Sequence, residues 1–239
     1  MQGGRVRSGE VLLAAVGLAV GVLVALLIVD TRAVLAMPTL PASVLGMQSR
    51  RADPSLDARV RAATVAVVSH GCVGALRGTG VVTTGGLLIT AAHVAGGARI
   101  LDVTNSTGGH GFLAPVIAAS GSDVASVGVP ASWPQLREAS ADAAVGDEVV
   151  VAGRSSGSTV VRHARVEAIL HGRGPDDPAQ VVRLDVGVAP GDSGGPVVDA
   201  SGRLVGIVYA AELRTHLALV IPRSELAASL ARDGSVNRC

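Results

Sequence analysis

Gly191-Asp192-Ser193-Gly194-Gly195-Pro196 is the stretch on which the reading of this chain turns. A serine nucleophile needs open access on one side and backbone N–H groups on the other. Glycines flanking Ser193 let the chain turn tightly, so that the N–H groups of Gly191 and Ser193 converge on one point. That convergence is the requirement of an oxyanion hole. Pro196 then sets the chain into an apolar strand, Val197-Val198. Taken by itself, the hexapeptide also describes a Gly-rich hairpin turn. Its surroundings decide between the two.

From about Arg59 onward the chain is a series of short apolar runs broken by glycine. They are Ala63–Ser69, Thr79–Thr90, Asp147–Gly153, Val181–Val188 and Gly202–Ala210. Such β-branched runs of strand length, with turn signals at short intervals, predict an all-β sandwich or barrel. One helix is expected late, over about 224–231, with Ser224 as its cap and Arg232 at its C-terminal end.

Two further places carry chemistry. Thr90-Ala91-Ala92-His93 follows the apolar strand Gly86–Ile89, and the small residues leave room for the ring at the strand end. Histidine is the side chain whose ordinary pKa suits general-base work near neutrality. His70, His110, His163, His171 and His216 lack that setting and read as structural or incidental. Asp123, in Gly-Ser-Asp-Val-Ala-Ser-Val-Gly-Val, enters a strand of small apolar residues. A carboxylate partly buried there needs a partner, and a histidine N–H supplies one. Asp102 is the rival, nine residues after His93 in a strand too close in sequence to fold back easily. Asp123 is preferred.

Composition narrows the chemistry further. All 20 basic residues among the 239 are arginine. Without lysine there is no Schiff base, no Ser-Lys dyad and no Walker-type phosphate loop. A net charge of +1 gives no electrostatic footprint for nucleic acid, and 1% aromatics leaves almost no stacking platform for bases. The expected partner is a protein or peptide, not nucleic acid. Serine chemistry of this kind needs no metal and no cofactor.

The N-terminal tenth reads differently. Val11–Val29 is nineteen residues without a charge. As a helix it spans about 28 Å, close to the hydrocarbon core of a bilayer. Arg5 and Arg7 precede it, which favours a cytoplasmic tail over 1–10 and places the rest of the chain outside the cytoplasm. A cleaved signal peptide, cut near Ala36, is the alternative. Residues 30–58, with Pro38, Pro41 and Pro54, read as a linker, and the globular domain as 59–239. Such a linker is also a candidate site for self-cleavage.

The order His93, Asp123, Ser193, within TAAH, DVA and GDSGGP, resembles the chymotrypsin-type serine peptidases over about residues 60–223. The resemblance implies two six-stranded antiparallel β-barrels, at about 60–130 and 143–222, with a cleft between them. It assigns nucleophile to Ser193, general base to His93 and orienting carboxylate to Asp123. Asp192 is expected to help set the oxyanion loop. Six residues before the nucleophile, Gly187 takes the bottom of the specificity pocket, with Val208, Tyr209, Ala210 and Ala211 along its wall. With no carboxylate at Gly187, an apolar P1 residue is expected, since a cationic one would be buried without a partner.

Within that family the layout is similar to the membrane-anchored acid-resistance proteases of actinobacteria, although those carry several membrane helices. Their two cysteines correspond to Cys72 and Cys239, implying one disulfide; two free thiols are the alternative. Closing that loop of 168 residues would stabilise the fold by about 5 kcal/mol. A stress role is implied by this resemblance alone.

Overall fold

Asp53-Pro54 opens a helix inside the stretch expected to be linker. In the computed structural model, which describes residues 53–71, 74–96, 98–113, 116–117, 123–172 and 177–231, helix α1 runs Pro54–Ala63. The Asp53 carboxylate accepts the Ser55 N–H at 2.9 Å, and proline at the first turn needs no N–H partner. Leu56, Val60 and Ala63 recur on one side and are buried. The globular part therefore begins earlier than residue 59. The apolar segment Val11–Val29, the tail before it, Cys72 and Cys239 lie outside the described residues. Among the described residues no helix is long and apolar enough to cross a membrane.

The first half is built from β1 (Thr64–Gly71), β2 (Gly74–Thr83), β3 (Leu87–Ala91), a one-turn helix α2 (Ala92–Ala95), β4 (Leu101–Thr104), β5 (His110–Leu113), β6 (Val116–Ile117) and β7 (Val124–Gly128). These strands form one seven-stranded sheet in the order β5-β4-β1-β2-β3-β7-β6. A flat sheet of that size would hold its edges about 29 Å apart. Yet β5 ends at Leu113 and β6 starts at Val116, a reach of at most about 11 Å. The sheet must curl round until its edges meet. The first of the two expected barrels is therefore formed by one sheet curled on itself.

The second half is a closed barrel in the order β10-β13-β12-β11-β8-β9, from β8 (Glu148–Gly153), β9 (Val160–His171), β10 (Gln180–Gly187), β11 (Pro196–Asp199), β12 (Leu204–Ala211) and β13 (Leu217–Pro222). Val151, Ala164, Val166, Leu184, Val197 and Val220 fill its interior. A cluster shared by both halves joins them: Val81, Ile89 and Val124 from the first, Ile207 and Ile221 from the second, with Leu56 and Val60 of α1.

Helix α3 runs Arg223–Leu230 after Pro222, one residue ahead of expectation. Ser224 is not its cap. The Ser224 N–H instead donates to Asp142 Oδ1 at 2.8 Å, so the capping carboxylate comes from the segment between the halves.

Candidate active site

Register places Asp123 beside His93. Ala91 of β3 pairs with Val124 of β7, so the residue after β3 and the residue before β7 are neighbours. The Ala92 N–H donates to Asp123 O at 3.1 Å. The His93 N–H donates to Asp123 Oδ1 at 2.7 Å, and His93 Nδ1 lies 2.5 Å from Asp123 Oδ2. A carboxylate can only accept, so Nδ1 carries the proton and the Nε2 lone pair of the neutral ring is left free. The Asp123 side chain is 14% exposed and that of His93 50%, so the ring reaches solvent from a shielded anchor. Asp102 takes no part, since it pairs with His110 Nε2 at 2.6 Å.

The Ser193 loop comes from the second half and is pinned to the first through Thr79 of β2. The Thr79 N–H donates to Ser193 O at 2.9 Å, and Thr79 Oγ1 donates to Gly191 O at 2.7 Å. Gly78 lies between the His93 segment and the Ser193 loop. A Cβ there would sit 2.5 Å from a Val94 methyl and 3.1 Å from Ser193 O. Gly194, at φ +84°, presses against the same place, 2.1 Å from Thr79 O and 3.0 Å from Ala91 N by the position of an added Cβ. Only glycine fits such an approach.

Within the loop the N–H groups of Asp192, Gly194 and Gly195 donate to Ala189 O, Val208 O and Asp192 O. Those of Gly191 and Ser193 take no acceptor among the described residues. The two donors expected to face an oxyanion are the two left unused. The Ser193 hydroxyl forms no hydrogen bond to His93 here.

Asp192 is fully buried beneath the loop. Its carboxylate accepts the Ser155 N–H at 3.0 Å, the Ala189 N–H at 3.1 Å and Arg162 Nη1 at 3.3 Å. Three donors, one of them cationic, are what a buried charge needs. Thr79, Ser155 and Arg162 were not legible as site residues. Thr79 had one signal, its place between Gly78 and Gly80; Arg162 had none.

The expected pocket wall divides. Tyr209, Ala210 and Ala211 line a groove of about 650 Å³ between the β9–β10 and β12–β13 hairpins. Val208 is 1% exposed and packs in the barrel core. Gly187 ends β10 beside His216 O and lies outside the groove lining. The pairing of β12 with β13 slips between Val208 and Ala210, so Tyr209 is the extra residue of a bulge, which re-aims its side chain. Tyr209 donates its hydroxyl proton to Asp177 Oδ1 at 3.1 Å. Its pKa is pushed up to about 12, first by desolvation, then by Asp177 and by the charge of Asp123.

Two β-barrel halves joined through a shared core, with a His-Asp pair on one and a glycine-flanked serine loop on the other, define the two-barrel serine peptidase architecture. The chain belongs to the trypsin-like peptidase domain family, whose model matches residues 78–207. The serine protease Rv3671c of Mycobacterium tuberculosis is 34% identical over 175 residues, 69% of this chain and 44% of that protein. The chain thus spans less than half the length of that relative. A crystal structure of the Rv3671c protease in its inactive form superposes with a TM-score of 0.65 at 29% identity, covering 77% of this chain and 97% of that one. Its active form gives 0.65 at 28%, over 78% and 89%. An HtrA-type protease, AlgW with a tripeptide, gives 0.65 at 22%, over 73% and 60%, a likeness of fold alone.

Proposed function

We propose that the chain is a serine endopeptidase, tethered to the membrane by Val11–Val29 and acting outside the cytoplasm on envelope or secreted proteins. The observation that carries the chemistry is the twofold grip of Asp123 on His93, facing a serine loop whose Gly191 and Ser193 N–H groups are unused. Ser193 Oγ attacks the peptide carbonyl while His93 Nε2 takes its proton. Asp123 holds the ring in the tautomer that permits this and stabilises the imidazolium. The developing oxyanion is met by the N–H groups of Gly191 and Ser193, each worth about 3 kcal/mol of barrier. His93 then gives the proton to the leaving amine, and water repeats the cycle on the acyl-enzyme.

The substrate lies extended along Tyr209–Ala211, with a small or medium apolar P1 residue near Gly187. A peptide library that returned arginine or lysine at P1 would overturn that assignment. The part of the linker before α1, from residue 31, is a candidate for self-cleavage. Likeness to actinobacterial acid-resistance proteases supports a stress role and a Cys72–Cys239 disulfide.

A second reading, a switchable or silent binding module at the envelope, is favoured by the unbonded Ser193 hydroxyl. A fluorophosphonate probe separates the two. Labelling of the wild type, absent from Ser193→Ala and His93→Ala, is expected for the enzyme. A folded wild type that does not label belongs to the module.

A further inference from the structure

Helix α1 buries Leu56, Val60 and Ala63 in the core shared by the two halves. On its polar side, Arg61 and Asp57 reach one place, while Ala62 O accepts from Ser106 and Arg59 lies against Gly202. Arg61 Nη1 donates to Thr159 O, and Asp57 Oδ1 lies 3.1 Å from His163 Nε2. Both partners flank the start of β9. The turn before it, 154–159, is braced internally by Arg154, whose guanidinium donates to Thr159 Oγ1 at 2.8 Å and Gly157 O at 2.9 Å.

The other side of this turn faces the serine loop. The Arg154 N–H donates to Thr79 Oγ1 at 3.0 Å, and that hydroxyl donates onward to Gly191 O. The Ser155 N–H and Arg162 hold the Asp192 carboxylate. An added Gly191 Cβ would lie 2.9 Å from Ser155 Cα, so turn and loop are in direct contact. Residues 154–163 therefore touch α1 on one side and the oxyanion loop on the other.

We infer that α1 is a latch for the oxyanion hole: Arg61 and Asp57 fix the β8–β9 turn, and the turn holds Asp192 and Gly191 in the geometry that presents the two N–H groups. They are positioning residues, acting through the turn. The inference rests on the assignment of Gly191 and Ser193 as oxyanion donors.

The test compares Asp57→Asn/Arg61→Ala in the full chain with Arg59→Ala, which lies on the same helix but faces Gly202 instead of the turn. Hydrogen exchange of the Ser155, Ala189, Asp192 and Gly194 amides is read first, because it does not need activity. Exchange at these amides is expected to quicken about tenfold in the double variant and to stay unchanged in Arg59→Ala. With a fluorophosphonate, the maximal inactivation rate should fall about tenfold, about 1.4 kcal/mol of barrier, while the probe's KI stays within twofold. Arg61→Lys, which keeps a donor for Thr159 O, should recover most of the rate. Unchanged exchange in the double variant, or equal quickening in Arg59→Ala, would overturn the latch. A wild type that never labels would sink the peptidase assignment instead, and the exchange data would still decide the latch.

Discussion

Replacing Asp192 by asparagine changes one oxygen for an NH2 group and almost no volume, so its effect isolates the charge beneath the serine loop. The native carboxylate accepts from Ser155 N–H on one oxygen and from Ala189 N–H and Arg162 on the other. An amide has a single acceptor oxygen. Its better orientation keeps Ala189 and Arg162 and turns the NH2 toward the Ser155 N–H, donor against donor. One buried hydrogen bond is lost, a donor is left unmet, and the bond to Arg162 loses its ionic partner. Together these cost about 2–4 kcal/mol. The repulsion falls where the turn touches Gly191, so the Gly191 N–H is the first to leave its place. Loss of one oxyanion donor lowers turnover by about 10²–10³-fold. Fluorophosphonate labelling rate and thermal denaturation, measured side by side, test this. The expected result is a folded protein that labels at least about a hundredfold more slowly, with the His93–Asp123 pair undisturbed. Arg162→Met should also destabilise the loop, because it leaves the buried Asp192 charge without its cationic partner. A folded Asp192→Asn that labels within threefold of wild type would refute the reasoning. The loop would then be held by Thr79 and by its backbone bonds to Val208, without help from the Asp192 charge.

Gly194→Ala should destabilise the fold by about 2–5 kcal/mol, combining a left-handed backbone with an overpacked site. Its Cβ would meet Thr79 O, Thr90 Oγ1 and Ala91 N, none of which can swing away freely. A urea midpoint within experimental error of wild type would contradict this. Tyr209 is the chain's one tyrosine, so its phenolate absorbance can be followed alone. The folded protein should titrate near 12, the unfolded chain near 10. Since the folded state holds this proton more tightly, its contribution to stability is complete below about pH 10 and is lost as pH rises toward 12. Tyr209→Phe should remove that alkaline loss, and a folded-state midpoint near 10 would show both the burial of Tyr209 and its Asp177 hydrogen bond to be absent.

What could be read from the sequence follows the range over which each constraint acts. Gly191 to Pro196 was legible because the chemistry of a serine loop demands particular residue types in adjacent positions. His93 was legible for the same reason, as a histidine after a strand and small residues. The β2–β3 and β8 runs show as strands because their β-branched residues are contiguous. Helix α1 was open to the same reading and was hidden by its setting. Leu56, Val60 and Ala63 have helical spacing behind an Asp-Pro start, but the prolines before them read as stalk. Register leaves no such trace. Every residue of Leu204–Val208 is buried, so the run does not say which face is which. The bulge that makes Tyr209 the extra residue, turning it toward the groove, has no signature of its own. The same holds for partners. Arg162 is an arginine in a strand until the fold brings Asp192 to it, thirty residues on. Asp142 is an acidic residue between halves until α3 begins beside it. The groups proposed to react can be named from their own chemistry, whereas the groups that hold them are chosen by pairings between distant strands. Mutations at Arg162, Ser155 or Arg61 are accordingly where loss of activity would look least explicable from the sequence.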